Sequence, residues 1–550
     1  MMKLYSVCII LLAIQPIFAA LSDIPFKKPN RFHLHRKLPQ YDNVNDGPKY
    51  NYTITYYPNM PVDHLKGSTQ DTFALRYFYN LEHYKPGGPL FFYTGNEGYL
   101  ESFAQNTGIM FDLAPLFGAA LLFGEHRFYG YSYPYGNKSY SDIRYLRYFD
   151  VDQVFGDYVT LIRFFKRTQL KDTDAKVILF GGSYGGMLAS WFRVAYPSIS
   201  VGAWSSSAPD LYFPDTDVSV FEFSKLIKNT FQLSGCDPSR ITNGWNALNN
   251  LTQTDEGRAA INRIFKLDNN SLVTSPYDYD FLVGWIETAI SYMAMTDYPY
   301  SSSFLAPMPA WPVEVACTGL METDPNTDEG LVAGLYAIAN VYYNGTGTIA
   351  QTCFDKCADE HDALGSPDGW FWQTCTQITI QMCDAGPPND LFFADCTPDN
   401  VNAGSIEECR YFEKRGWTKS MYNPKFVQNR YGFSFANATN IVFTSGKYDP
   451  WYSGCIKRAE YNLGDAWKRG IFVYEIDGSA HHLDLRQPNV CDPDNISNVR
   501  YQITEVLWCW AYPNDAKCAN YPTKPKDLPA FAKKDADCRP VFNGYPWGQA

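Results

Sequence analysis

A sheet of mostly parallel strands, covered by helices on both faces, is the architecture this chain encodes. Three observations carry that expectation. Compact apolar runs bounded by glycine alternate with helical patterns in the first third of the chain. One of those runs meets a helix at a serine set among glycines, and the same strand texture returns near the C-terminus after a long helical interruption. Strands buried on both faces read as continuous apolar runs, and their alternation with helices defines the α/β class.

Each element follows in order. Pro89-Leu90-Phe91-Phe92-Tyr93 and Ala119-Ala120-Leu121-Leu122-Phe123 read as buried strands. Between Val151 and Arg167, residues Val154, Tyr158, Leu161, Phe164 and Phe165 share one face, which predicts a helix. The strand Lys176–Phe180 then runs into Gly181-Gly182-Ser183-Tyr184-Gly185-Gly186, and a helix opens at Met187 and stops near Pro197. From 210 to 430 helical periodicity dominates (Phe221–Leu233, Trp245–Phe265, Phe281–Ala294), and most cysteines fall there. That stretch reads as a helical, disulfide-stapled insertion dividing a sheet domain into a first part, 21–209, and a second, 431–512. The second part holds strands at Asn440–Phe443 and Ile471–Ile476 and a helix at Val499–Trp510. Residues 513–550, rich in Pro, Lys and Asp, read as a tail.

Composition bounds the function. With 45% apolar and 19% charged residues the chain is globular. A net charge of -12 without a basic run gives nucleic-acid binding no footing. Lys3, the apolar run Leu4–Phe18 and Ala19-Ala20 predict a signal peptide over residues 1–20, and no other stretch is long and apolar enough to span a membrane. Outside that segment stand thirteen cysteines: Cys236, Cys317, Cys353, Cys357, Cys375, Cys383, Cys396, Cys409, Cys455, Cys491, Cys509, Cys518 and Cys538. Without CxxC pairs or histidines at ligand spacing they predict disulfides rather than a metal site, with one thiol left over. N-x-[ST] sequons at Asn51, Asn137, Asn250, Asn269, Asn344, Asn437 and Asn495 predict surface positions open to glycosylation. The expected setting is the secretory pathway, lysosomal or extracellular, and no cofactor is called for.

The chemistry centres on Gly181-Gly182-Ser183-Tyr184-Gly185, a G-x-S-x-G match at a strand-to-helix turn. There only small neighbours let the backbone strain so that a serine hydroxyl stands clear of the sheet, the nucleophile elbow of the α/β-hydrolase fold. The Tyr184 amide then points at developing negative charge. A P-loop would need the lysine of GxxxxGK[ST], which is missing. In this fold the order is serine, acid, histidine. Asp449 follows one predicted strand, and His481 or His482 follows the next, at the carboxyl edge where such sheets build their sites. Spacing does not choose between the two histidines. The loop at Gly95 occupies the place from which the fold draws a second oxyanion amide.

Taken together, FGGSYGGMLASWFR, FYTGNEG, FGEHRFYG, DYPYSSSFLAPMPAWP, TSGKYDPW and AHHLDLR resemble the proline-directed serine peptidases of family S28, over roughly Tyr50 to Arg486. The resemblance implies an α/β-hydrolase with a helical cap inserted after Val201–Ser206, acting on proline-containing peptides from either the carboxyl or the amino end. It assigns Ser183 as nucleophile, Asp449 as acid and His481 as base. Met187 and Trp451 match positions that wall the proline pocket. Asn96 and Glu97 are expected at a substrate terminus, with Glu97 suited to an ammonium. Glu125 and Arg127 are expected to pair with each other or support their loop. Departures stand at Lys447-Tyr448, at Tyr452, Ser453 and Cys455, and at Ile380, where the family carries a second pocket methionine. They leave a contrasting expectation, a catalytically impaired secreted glycoprotein whose 447–455 loop closes the pocket. The expected partners are peptides and, in a homodimer, a second copy of the chain.

Overall fold

The computed structural model describes residues 50–353, 367–457 and 465–547. The signal peptide expected over residues 1–20 lies outside them. Eight strands form one sheet in the order β1-β2-β4-β3-β5-β6-β7-β8. They are β1 Thr53–Pro61, β2 Thr72–Asn80, β3 Leu90–Thr94, β4 Ala120–Gly124, β5 Val177–Gly182, β6 Gly202–Ser206, β7 Ile441–Gly446 and β8 Ile471–Ile476. β2 pairs antiparallel with both β1 and β4, and β3 to β8 pair parallel. This is the α/β-hydrolase sheet.

Alternate residues of one apolar strand serve two cores. On β3, Leu90 and Phe92 pack with the helices Val151–Phe165 and Tyr184–Ala195, while Phe91 and Tyr93 face the helices Gly108–Phe117 and Asp494–Ala511. Each buried Phe contributes roughly 1.5–3 kcal/mol relative to exposure, so neither face tolerates a polar residue, and the run stays apolar throughout. β1 behaves differently. It is an edge strand with most side chains solvated, carrying Pro58 and Asn59, so no apolar run announces it.

Between β6 and β7 the described chain adds no strand to the sheet and builds helices. One expected helix, Trp245–Phe265, is two: Pro238–Thr252 and Asp255–Ile264. Thr254 breaks it, leaving helical geometry so that its hydroxyl caps the Gly257 amide. Disulfides Cys236–Cys317, Cys375–Cys409 and Cys383–Cys396 lie within this stretch; Cys491–Cys538 and Cys509–Cys518 lie beyond it. The free cysteine among the described residues is Cys455, buried. Five disulfides among the described residues are the cysteine usage typical of chains from an oxidising compartment. No helix of the described residues is long and apolar enough to cross a membrane.

One expectation needs correcting, and another holds in the second of its two alternatives. Six sequon asparagines are exposed or half-exposed, but Asn495 is fully buried, its amide donating to the Asp477 carbonyl at 2.6 Å. It opens a helix whose first turn packs against the core, which a sequon pattern does not register. Glu125 and Arg127 do not pair with each other. Arg127 is fully buried in a two-point pair with Asp157 (2.6 Å each) and donates to the carbonyls of Pro61, Val62 and Tyr148. Glu125 instead accepts from the Ser132 hydroxyl (2.7 Å) and the Tyr131 amide (3.0 Å). Both carry the loop after β4, each with its own partners.

Candidate active site

Ser183 sits between β5 and its helix with φ 56 and ψ -130. A non-glycine residue in that region costs on the order of 1–3 kcal/mol and persists only where its surroundings hold it. They do so here. The Ser183 amide donates to Ser206 O (2.9 Å), Asn96 Nδ2 donates to Gly182 O (2.8 Å), and Thr94 Oγ1 donates to Gly185 O (2.7 Å). A Cβ on Gly181 would lie 2.1 Å from Gly185 O, and one on Gly185 would lie 2.4 Å from Asn96 Oδ1. Those two positions exclude any side chain.

The acid and base meet directly. Asp449 follows β7 and is wholly buried; its Oδ1 accepts from the Trp451 amide (3.0 Å), and its Oδ2 lies 2.6 Å from His481 Nδ1. With Nδ1 held by the carboxylate, Nε2 is the nitrogen left for proton transfer. The His481 loop is pinned on both sides of its backbone: the amide donates to Met295 O (2.9 Å) and the carbonyl accepts from Tyr298 Oη (2.9 Å). His482 has different partners, although its ring lies 4.6 Å from that of His481. Its amide donates to Ser207 Oγ (2.8 Å), its ring packs edge-on against Phe304, and burial holds its pKa well below the usual value, so it stays neutral. The structure thus separates two histidines that the sequence leaves equivalent.

Ser183 opens onto a cavity that it shares with Trp451 and Met295, the neighbours of Asp449 and His481. Met187, Ile380, Pro209, Tyr292 and Trp370 make most of the remaining wall. Tyr184 and Glu97 also line it. A profile of the family described as serine carboxypeptidase S28 matches residues 60–503. The chain belongs to that family. It is 39% identical over 467 residues to prolyl carboxy peptidase like protein 5 of Caenorhabditis elegans, covering 84% of this chain and 90% of that one. It is 36% identical over 457 residues to lysosomal Pro-X carboxypeptidase of Homo sapiens, covering 81% and 86%. A proline iminopeptidase structure from Mycobacterium smegmatis matches 84% of this chain and 100% of its own at 12% identity, with a TM-score of 0.34. As an S28 chain it is a serine-type exopeptidase.

Within this S28 site, Glu97 and Asn96 play different parts. Both ends of the Asn96 amide are engaged, Oδ1 accepting from Tyr93 Oη (2.7 Å) and Nδ2 donating to the elbow. Glu97 is buried yet faces the cavity, and its Oε2 has no hydrogen-bond partner. Burial pushes its pKa up to about 6. Gly95 packs so closely on the β4 loop that a Cβ would lie 2.2 Å from Gly124 O, and its carbonyl accepts from Tyr158 Oη (3.1 Å). Tyr184 opens the elbow helix, its ring anchored by Gln373 Nε2 (2.7 Å) and by His126 Nε2 (3.1 Å). Burial lowers the His126 pKa to about 4, so the ring is neutral: Nδ1 donates to Arg127 O, and Nε2 accepts from the tyrosine.

Sequence reasoning missed Pro209, Tyr292, Met295, Trp370 and Gln373. All but Pro209 come from helices, or the ends of helices, in the stretch between β6 and β7. Their helical periodicity marks them as core, and nothing local says that this core borders a catalytic serine. The near-coincident cluster of Cys383, Asp395 and Cys396 is no metal site, because the two cysteines are bonded to each other.

Proposed function

We propose that this S28 chain removes a C-terminal residue that follows proline, through an acyl-enzyme formed on Ser183. His481 takes the serine proton as Oγ attacks the prolyl carbonyl carbon, and Asp449 stabilises the imidazolium that forms. The amides of Tyr184 and Gly95 receive the oxyanion. His481 then gives its proton to the departing amine, and a water molecule attacking the ester regenerates the serine. Met187, Met295, Trp451 and Ile380 hold the pyrrolidine ring, which packs well on aromatic faces and thioethers.

The observation that carries this reading is the 2.6 Å Asp449–His481 pair beside a cavity walled by Ser183 and apolar side chains. Glu97, expected from the sequence to suit an ammonium, supports the other direction of cleavage once its burial is taken into account. Protonated below about pH 6, it donates to a substrate carboxylate; ionised, it repels one. That favours an acidic working range and a lysosomal or secreted setting, in keeping with the relatives' names. The cavity beside Ser183 argues against a loop at 447–455 that seals the site. A fluorophosphonate probe is expected to label Ser183, and Ser183→Ala to abolish release of the terminal residue from a Pro-X peptide. Undiminished turnover by that variant sinks the assignment.

A further inference from the structure

The segment after the last helix is fastened to residues 488–494, the stretch that follows the loop of the base. Cys538 is bonded to Cys491, and Lys534 Nζ reaches Asp494 at 2.8 Å. The Val490 amide donates to Arg539 O (3.1 Å), and the Val541 amide donates to Pro488 O (2.7 Å). Between these ties and the helix lies Phe531, half-buried, whose ring rests on three surfaces. A Cβ on Gly478 would lie 2.1 Å from its Cδ2, so the ring fills the space under the loop three residues before His481. It meets Tyr448, the residue before Asp449, edge-on at 5.9 Å between centroids. It meets Trp311 in the same manner at 6.1 Å.

Each surface is one or two links from the triad. The Tyr448 amide donates to Ser479 O (3.0 Å), which joins the acid loop to the base loop. The Trp311 amide donates to Tyr298 O (2.8 Å), and Tyr298 Oη in turn donates to the His481 carbonyl. Trp311 holds a left-handed backbone (φ 48) that its surroundings must maintain, and Lys533 Nζ lies over its ring at 5.3 Å while pairing with Glu314. One aromatic ring thus packs against both catalytic loops and against Trp311, which holds the residue that pins the base.

The geometry points to Phe531 as a positioning residue: the C-terminal segment clamps the Asp449 and His481 loops in register and so sets the reach of His481 toward Ser183. This rests on the triad reading above. Displacing a catalytic group by about 1 Å costs on the order of 100-fold in rate, even when the change lies far from the chemistry. In the full chain, Phe531→Ala is expected to lower kcat by about 10- to 100-fold with KM held within about twofold. The pH profile of kcat changes as well, because the loops position the proton transfer between Ser183 and its base. Phe531→Tyr, which keeps the ring, restores both. A folded Phe531→Ala whose kcat stays within about twofold of wild type, with an unmoved pH profile, overturns the proposal whatever its Tm. Should the alanine variant not accumulate, Phe531→Leu, close in volume but without the ring edge, is read by the same two criteria. Wild-type chain that a fluorophosphonate fails to label would refute the triad instead, leaving the two failures distinct.

Discussion

Replacing Glu97 with glutamine tests one buried carboxyl through both stability and activity. Its pKa rises from 4.5 in the unfolded chain to about 6 in the fold, chiefly because burial penalises the charged form. Between those values the folded state holds a proton that the unfolded state has released. Stability therefore falls as pH rises from about 4.5 to about 6, and the loss persists above that. At about 1.36 kcal/mol per tenfold change in proton affinity, the full loss is about 2 kcal/mol. Glutamine cannot ionise, so Glu97→Gln should stabilise the chain by up to about 2 kcal/mol at pH 7 and by almost nothing at pH 4. Urea unfolding of both proteins at the two pH values measures that difference. Activity adds a second arm. Wild-type kcat/KM for a C-terminal Pro-X peptide should decline above about pH 6, as Glu97 ionises against the substrate carboxylate, and the variant should flatten the decline. An equal stability difference at pH 4 and pH 7 refutes the burial argument. A steep loss of activity toward X-Pro amides, with Pro-X peptides untouched, would mean that Glu97 reads an ammonium instead.

Other expectations are narrower. Asp449→Asn should lower kcat by about 10⁴-fold while KM stays close to wild type, since the amide leaves His481 in the wrong tautomer; steady-state kinetics on a Pro-X peptide decides it. Arg127→Ala leaves the buried Asp157 carboxylate with His64 Nε2 (2.8 Å) in place of its two-point partner and should cost about 3–5 kcal/mol in denaturant unfolding. Asn96→Ala removes the donor to Gly182 O and should destabilise by about 1–3 kcal/mol. Its kcat should fall as the elbow relaxes, and a variant with wild-type stability would contradict the bracing role. Glycopeptide mass spectrometry should find the Asn495 sequon unoccupied, because its side chain is buried and already bonded.

Much of the scaffold was legible because buried parallel strands must be apolar on both faces. β8 matches its expected span, and β3, β4, β5 and β7 differ from theirs mostly at the ends. The antiparallel pair β1 and β2 was not foreseen: β1 is an edge strand bathed in solvent and needs no apolar run, and the apolar run of β2 is interrupted by the buried Arg76. The helix boundary at Thr254 was also missed: its periodicity runs on through the break, and only the cap bond marks the stop. The roof of the cavity was hidden for a different reason. Met295, Tyr292 and Trp370 are spaced as ordinary helical core, and what makes them pocket wall is a serine more than a hundred residues away in the chain.

What the amino-acid order determines by itself is local. The glycines around Ser183 exist because side chains there would collide with the elbow, and Asp449 and His481 follow strands because strand ends are where this sheet exposes its loops. Tertiary structure alone decides which of two adjacent histidines meets the carboxylate, which carboxyl is buried facing the cavity, and that Asn495 is closed to solvent. It also decides that Arg127 finds Asp157 rather than Glu125, and that a Pro- and Lys-rich tail lies under the catalytic loops. The physical reason is common to all of these. Backbone strain and apolar periodicity act between near neighbours, whereas burial and charge pairing depend on which distant segments the fold presses together.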